Sequence, residues 1–162
     1  MGATRPLGGG RGRQTTCVPD VVTYNCLIDV FCRTYRIGRA LELFNDMLIK
    51  GCTPNWVMYN SFIRYYSAVN EIDKAVEMLH NMRLWNHGIP SSSSYTPIIH
   101  ALCESRRPVE TLDYLVEMVE GGSIPRDYTF KLVCDTLSLM DVPNLPEDLR
   151  QKIDHGIENR YQ

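Results

Sequence analysis

Residues 21–55, VVTYNCLIDVFCRTYRIGRALELFNDMLIKGCTPN, constrain the fold of this chain more than any other stretch, because their pattern returns along the sequence. Tyr24 recurs as Tyr59 and Tyr95, and Phe130 holds the same place one period later, in steps of 35, 36 and 35 residues. Met47, Met82 and Met118 keep the first two of those steps, and Pro19, Pro54, Pro90 and Pro125 keep all three. Three residue types in one register define an internal repeat. A unit of this length cannot bury its apolar face alone, so copies must stack into an elongated array.

Each unit reads as two helices. Tyr24, Leu27, Ile28 and Phe31 recur at helical spacing and mark a first helix over about residues 21 to 34, with Asp20 as its N-cap. Ile37, Ala40, Leu41, Phe44, Met47 and Leu48 give a second apolar stripe, and Glu42, Asn45 and Asp46 lie on its wet side. Gly51 is placed to close that helix in the left-handed conformation, and Pro54 blocks its continuation. The second unit repeats this with Tyr59, Phe62, Ile63 and Tyr66, then Ile72, Ala75, Val76, Leu79 and Met82. Its one extra residue is placed within Trp85–His87, displacing the terminal glycine to Gly88. The third unit has Tyr95, Ile98, Ile99 and Leu102, then Leu112, Leu115, Met118 and Val119, with Pro108 in a first turn where a missing amide costs nothing. Beyond Asp127 the pattern decays. Phe130, Val133, Cys134 and Leu137 keep a first helix, Pro143 and Pro146 interrupt, and residues 147–158 form a polar helix suited to an end cap.

The expected organisation is a leader at 1–16, the tail of a partial repeat at 17–20, repeats at 21–55, 56–91 and 92–126, and a degenerate repeat with a capping helix at 127–162. The leader is rich in glycine, and Arg5, Arg11 and Arg13 face no acid. It has neither apolar residues nor periodicity enough to fold. It reads as an unstructured leader, with a transit peptide or a basic RNA-contacting arm as alternatives; its charge fits a transit peptide but its lack of amphipathicity does not. Cys17–Asp20 aligns with Cys52–Asn55, so the array begins inside a repeat.

The net charge of −2 over 162 residues gives no global pull on a polyanion, so any nucleic-acid function needs a local basic or polar face. The six cysteines form no C-x-x-C pair and no zinc-finger spacing. Cys32 and Cys103 hold equivalent repeat positions and read as small core residues, reduced and intracellular. No apolar run is long enough to cross a membrane. A myristoylation signal fails at Pro6.

The Tyr-Asn pair, the Ala-Leu-x-Leu-Phe-x-x-Met run and the terminal proline, all in register over about residues 17–140, resemble the pentatricopeptide repeat family of plant mitochondria and chloroplasts. The resemblance implies an all-α, right-handed α-solenoid of helix-turn-helix repeats. It implies that the first helix of each hairpin faces single-stranded RNA, with one base read per repeat by its fifth and last residues. Those pairs are Asn25 with Asn55, Asn60 with Ser91, and Thr96 with Arg126. Second-position residues packing on the bases are Val22, Val57 and Ser93, with Tyr128 in the decayed unit. Asn at the fifth position implies a pyrimidine in the first two repeats, Thr96 leans towards a purine, and Lys131 argues against a base read in the fourth hairpin. Taken singly, Asn25 and Asn60 are ordinary helix-surface amides, and Asn55 and Ser91 ordinary N-caps. The family's glycine between the two helices is replaced by Tyr35, Asn70 and Arg106.

Catalysis is not expected. Some relatives in this family carry a deaminase-like extension, whose zinc site needs His-x-Glu and C-x-x-C. None of His80, His87, His100 and His155 is followed by x-Glu. No cofactor, metal site or phosphate-binding glycine loop is legible. The expected function is a non-catalytic RNA binder in organellar RNA processing, stability, splicing or translation, mitochondrial or alternatively in the chloroplast. A protein-interaction scaffold and a repeat fragment with no independent role are the alternatives. Base stacking contributes roughly 1–3 kcal/mol per base, against an association cost of about 4–15 kcal/mol, so a few repeats alone bind weakly.

Overall fold

The computed structural model describes residues 20–143 and 145–162. The leader and the partial repeat up to Pro19 lie outside the described residues. Eight helices occur among those described: α1 (Val21–Arg33), α2 (Ile37–Ile49), α3 (Trp56–Ala68), α4 (Ile72–Leu84), α5 (Ser92–Glu104), α6 (Pro108–Glu120), α7 (Asp127–Leu139) and α8 (Glu147–Glu158). The first six pair as hairpins, α1 with α2, α3 with α4 and α5 with α6, while α8 packs on α6. The odd-numbered (A) helices also pack in series, α1 on α3, α3 on α5 and α5 on α7, while α4 and α6 lean on the next A helix. The result is an all-α repeat solenoid with A helices in one layer and B helices in the other.

The repeated apolar residues build one continuous core. Tyr24, Tyr59 and Tyr95 are fully or almost fully buried, as are Met47, Met82 and Met118. A side chain of that size contributes about 1.5–3 kcal/mol when taken out of water. Leu27 departs from the expected buried stripe and is 40% exposed, whereas its counterparts Phe62, Ile98 and Val133 are fully buried. Each counterpart sits beneath the hairpin before it. Among the described residues no hairpin precedes α1, so Leu27 has nothing to cover it. At the other end Leu145, Leu149 and Ile153 close the core beneath α8.

The turns explain the period. Between the helices of each hairpin stands a left-handed residue: Tyr35 (φ 57°), Asn70 (59°), Arg106 (54°) and, in the decayed unit, Asp141 (51°). An L-residue pays about 1–2 kcal/mol there, least for Asn and Asp, whose short polar side chains bond locally. After α2, α4 and α6 a second left-handed residue recurs: Gly51 (φ 73°), Asn86 (55°) and Gly122 (84°). The following amides close the same bonds, Cys52 to the Met47 carbonyl (3.0 Å), His87 to Met82 (2.9 Å) and Ser123 to Met118 (3.0 Å). Register therefore holds through His87. The extra residue falls after it, at Gly88–Ile89, and not within Trp85–His87 as the sequence implied. Asn86 is the helix-terminal residue. Gly88 serves a different need: a Cβ there would stand 2.7 Å from Trp56 Cβ, so only glycine lets this loop lie against the start of α3.

One feature of α5 has no counterpart in its neighbours. Pro97 sits inside the helix. It cannot donate to the Ser93 carbonyl, and its ring crowds that turn.

Candidate functional site

The fifth residue of each hairpin lies on its A helix, and the last residue of the hairpin leads into the next A helix. Asp20 caps α1 through its carboxylate, which accepts from the Thr23 amide at 2.8 Å. Asn55 takes the same place before α3, its Oδ1 accepting from the Val57 amide at 3.2 Å. That oxygen also accepts from Asn25 Nδ2 at 3.0 Å. The cap and the base-facing partner expected of Asn55 are thus one side chain. With Oδ1 doubly engaged, Asn55 Nδ2 has no hydrogen-bond partner among the described residues. Asn25 is 7% exposed, and its Oδ1 is buried without a partner. A buried acceptor left unpaired costs about 1–3 kcal/mol. The pair therefore carries one unspent acceptor and one unspent donor.

Asn60 and Ser91 do not touch directly. Asn60 Oδ1 accepts from the Ser94 hydroxyl at 2.7 Å, and Ser94 Oγ in turn accepts from the Ser91 amide at 3.3 Å. Ser94, a residue the sequence reading passed over, joins the pair. Val57 and Ser93 stand with Asn60, Trp56 and Arg64 around a recess of about 190 Å³. Val57, from the second repeat, and Ser93, from the third, thus line the same recess as Asn60, whereas Val22, in the first repeat, is exposed.

No hydrogen bond joins Thr96 to Arg126. Arg126 precedes α7 without a side-chain cap and is exposed. A polar contact between α5 and α7 is made instead by His100 Nε2 and Thr129 Oγ1, 2.9 Å apart, with the Tyr128 ring edge-on to His100 at 5.6 Å between centroids. Burial pulls the His100 imidazole below its ordinary value, so the ring is neutral at neutral pH. His100 is a second residue not legible from the repeat pattern, which places it on the A helix but not its partner.

Farther along the same helices Asp29 gathers three donors: Arg33 Nε at 2.8 Å, Arg64 Nη2 at 2.7 Å and Ser61 Oγ at 3.1 Å. The two guanidiniums bring net positive charge to the A-helix layer between α1 and α3. Beneath them Cys32 is buried, and desolvation, with Asp29 adding to it, pushes its thiol up to about 12. Among the described residues no group of three or more His, Cys, Asp or Glu is placed to hold a metal ion. No helix of the described chain is long and apolar enough to cross a membrane.

Stacked helical hairpins with a left-handed turn in each, and polar contacts between successive A helices, define a helical-repeat protein. The PPR repeat family model matches residues 19–57, the pentatricopeptide repeat domain model residues 42–105, and a PPR repeat model residues 93–123. The chain belongs to the pentatricopeptide repeat family. It is 62% identical over 145 residues to the Arabidopsis thaliana pentatricopeptide repeat-containing protein At1g77405, a match covering 89% of this chain and 32% of that protein. A second relative, the mitochondrial Arabidopsis protein At2g13420, is 32% identical over 65 residues, 40% of this chain and 13% of its own. The chain thus spans about a third of the length of the first relative. Among solved structures the fold is similar to maize PPR10 (TM-score 0.70, 22% identity, 88% of this chain and 20% of that one). It is equally similar to the PPR domain of Arabidopsis protein-only RNase P 1 in complex with tRNA (TM-score 0.70, 17% identity, 88% and 73%). PPR10 in complex with an 18-nt psaJ RNA element matches with TM-score 0.64 at 24% identity, over 86% of this chain and 20% of that one.

Proposed function

We propose that this chain is a non-catalytic binder of single-stranded RNA that holds the strand along its A helices, one base to a hairpin. The observation that carries this reading is the Asn25–Asn55 contact, which leaves an unpaired, buried acceptor on Asn25 and an unpaired donor on Asn55. Uracil and cytosine each present a donor beside an acceptor on the Watson–Crick edge, and an unstacked RNA base exposes that edge. The first two repeats, with Asn25 and Asn60, lean towards pyrimidines. Val57 and Ser93, on either side of Asn60, are placed to pack on a base, and Arg33 and Arg64 to offset backbone charge.

The relatives support the reading in kind. Two of the structures similar to this one hold RNA, a psaJ element in one and tRNA in the other. The name of At2g13420 marks that protein as mitochondrial. We place this chain in the RNA metabolism of a plant organelle, the mitochondrion ahead of the chloroplast, through transcript processing, stability, splicing or translation. Anisotropy titration with pyrimidine-rich and purine-rich single-stranded RNAs at several salt concentrations tests the binding. The expected result is tighter binding of the pyrimidine-rich strand, with log K falling by about 0.7 per phosphate contacted for each ten-fold rise in salt. Equal, salt-independent association with duplex and single strand contradicts it.

A further inference from the structure

Beside α7 lies a second recess, where Arg126 and Tyr128 of the repeat frame meet two residues from beyond it, Arg160 and Tyr161. It has a volume of about 500 Å³ and is lined by Arg126, Asp127, Tyr128, Arg160 and Tyr161. The last two residues follow α8, and three anchors hold them beside the first turn of α7. Gly156 lets α8 approach closely, since a Cβ there would stand 2.6 Å from Ile124 Cγ1. The Arg160 guanidinium donates to the Ile124 carbonyl. The Tyr161 hydroxyl donates to Asp127 Oδ2 at 3.0 Å. The tail is thus pinned by side chains that leave the Tyr161 ring 75% exposed, and the Tyr128 ring is 71% exposed.

Two exposed aromatic rings and two guanidiniums around one cavity form an unusual surface. Tyr rings spread in water lose the apolar burial that most such rings obtain. Arg126 makes no ion pair or side-chain hydrogen bond among the described residues, and Asp127, the one acid in the recess, already accepts from Tyr161. Aromatic faces with adjacent cations are what single-stranded nucleic acid requires: rings for the base, which any base satisfies, and charge for its phosphate. Nothing in the recess repeats the amide pairing of Asn25 with Asn55, so it has no fork to tell one base from another.

We propose that Tyr128 and Tyr161, with Arg126 and Arg160, form a nucleotide cradle that binds one RNA nucleotide beside α7 and α8 without reading its base. This rests on the RNA-binding reading above. The cradle adds affinity beside α7 and α8, while selection is left to the earlier repeats.

The test uses the full chain and a short pyrimidine-rich RNA with 5-iodouridine walked through every position. Tyr128 and Tyr161 are expected to cross-link at one position of the bound stretch. Tyr128→Ala and Tyr161→Ala are each expected to weaken binding about ten-fold, by the same factor for all four bases at that position. Tyr128→Phe retains the ring and should match wild type, and circular dichroism confirms that each variant is folded. If the RNA still binds but both alanine variants keep wild-type affinity, or lose it for one base only, the cradle is overturned and the wider RNA reading stands. If the wild-type chain binds no single-stranded RNA at any concentration reached, both fall together.

Discussion

Asn25 Nδ2 donates to Asn55 Oδ1 at 3.0 Å, across 30 residues of chain and from one A helix to the cap of the next. The contact ties the local geometry of a helix start to the stacking of two repeats. Asn55 must be a cap to be fixed in place, and α3 must lie against α1 for the cap to meet Asn25. Any change that shifts α3 relative to α1 therefore acts on the polar pair as well as on stability.

Gly88 provides such a change. A Cβ at this position would meet Trp56 Cβ at 2.7 Å, and the φ of 151° disfavours any L side chain. Gly88→Ala is expected to cost about 1–3 kcal/mol by overpacking, read as a lower midpoint in urea denaturation. Trp56 opens α3, one residue after Asn55 and one before Val57, so RNA affinity should fall with it. A variant of unchanged midpoint would show that the loop can lie elsewhere.

Pro97 works in the opposite sense. It deprives the Ser93 carbonyl of its helical partner inside α5. Pro97→Ala restores that bond and should raise stability by about 2 kcal/mol, the helix gain of about 3 kcal/mol less up to about 1 kcal/mol from a looser unfolded chain. Chemical denaturation measures this directly. A destabilised variant would mean that the ring fills space between α5 and its neighbours that alanine leaves empty.

The thiols offer a chemical readout. Cys26 is exposed, while Cys32 and Cys103 are buried, and burial raises both of the latter. With iodoacetamide at mildly alkaline pH, peptide mass spectrometry should find Cys26 alkylated well before Cys32 and Cys103. The same shift sets a pH dependence. Between pH 9 and about 12 the unfolded chain has lost the Cys32 proton that the folded chain keeps. Folded stability should therefore decline as pH rises through that window. The Tyr95 hydroxyl, held up to about 12 first by burial and then by Glu117, adds to the decline above pH 10. Cys32→Ser, the residue found at the equivalent Ser67, should flatten the first part of the curve.

Positions of the helices were legible because proline, glycine and the apolar stripes mark each unit at a fixed period, and local chemistry sets where a helix can start and stop. The Asn25–Asn55 pair was legible for the same reason: both residues are fixed by their place in the frame. What escaped was set by contacts between helices. Leu27 shares its stripe with Phe62 and Ile98, and only the absence of a described neighbour exposes it. Ser94 and His100 carry no mark in the repeat, yet stacking turns one into the bridge from Asn60 to Ser91 and the other into the partner of Thr129. The extra residue of the second unit was misplaced because Asn86 can take the left-handed turn that glycine takes elsewhere. The recess at Tyr128 and Tyr161 depends on how α8 folds back, which no periodicity encodes.

The most direct test of the account is the base preference of the full chain and of Asn55→Asp at the nucleotide facing Asn25. Aspartate keeps an acceptor for Asn25 Nδ2 and the Val57 amide but removes the free Nδ2 donor. Cytosine, whose N3 is a bare acceptor, then meets carboxylate lone pairs, whereas uracil offers N3–H. The account predicts a shift from cytosine towards uracil of about ten-fold in relative affinity, roughly the value of one hydrogen bond to a charged group. RNA bound with the same base preference by both proteins would contradict it.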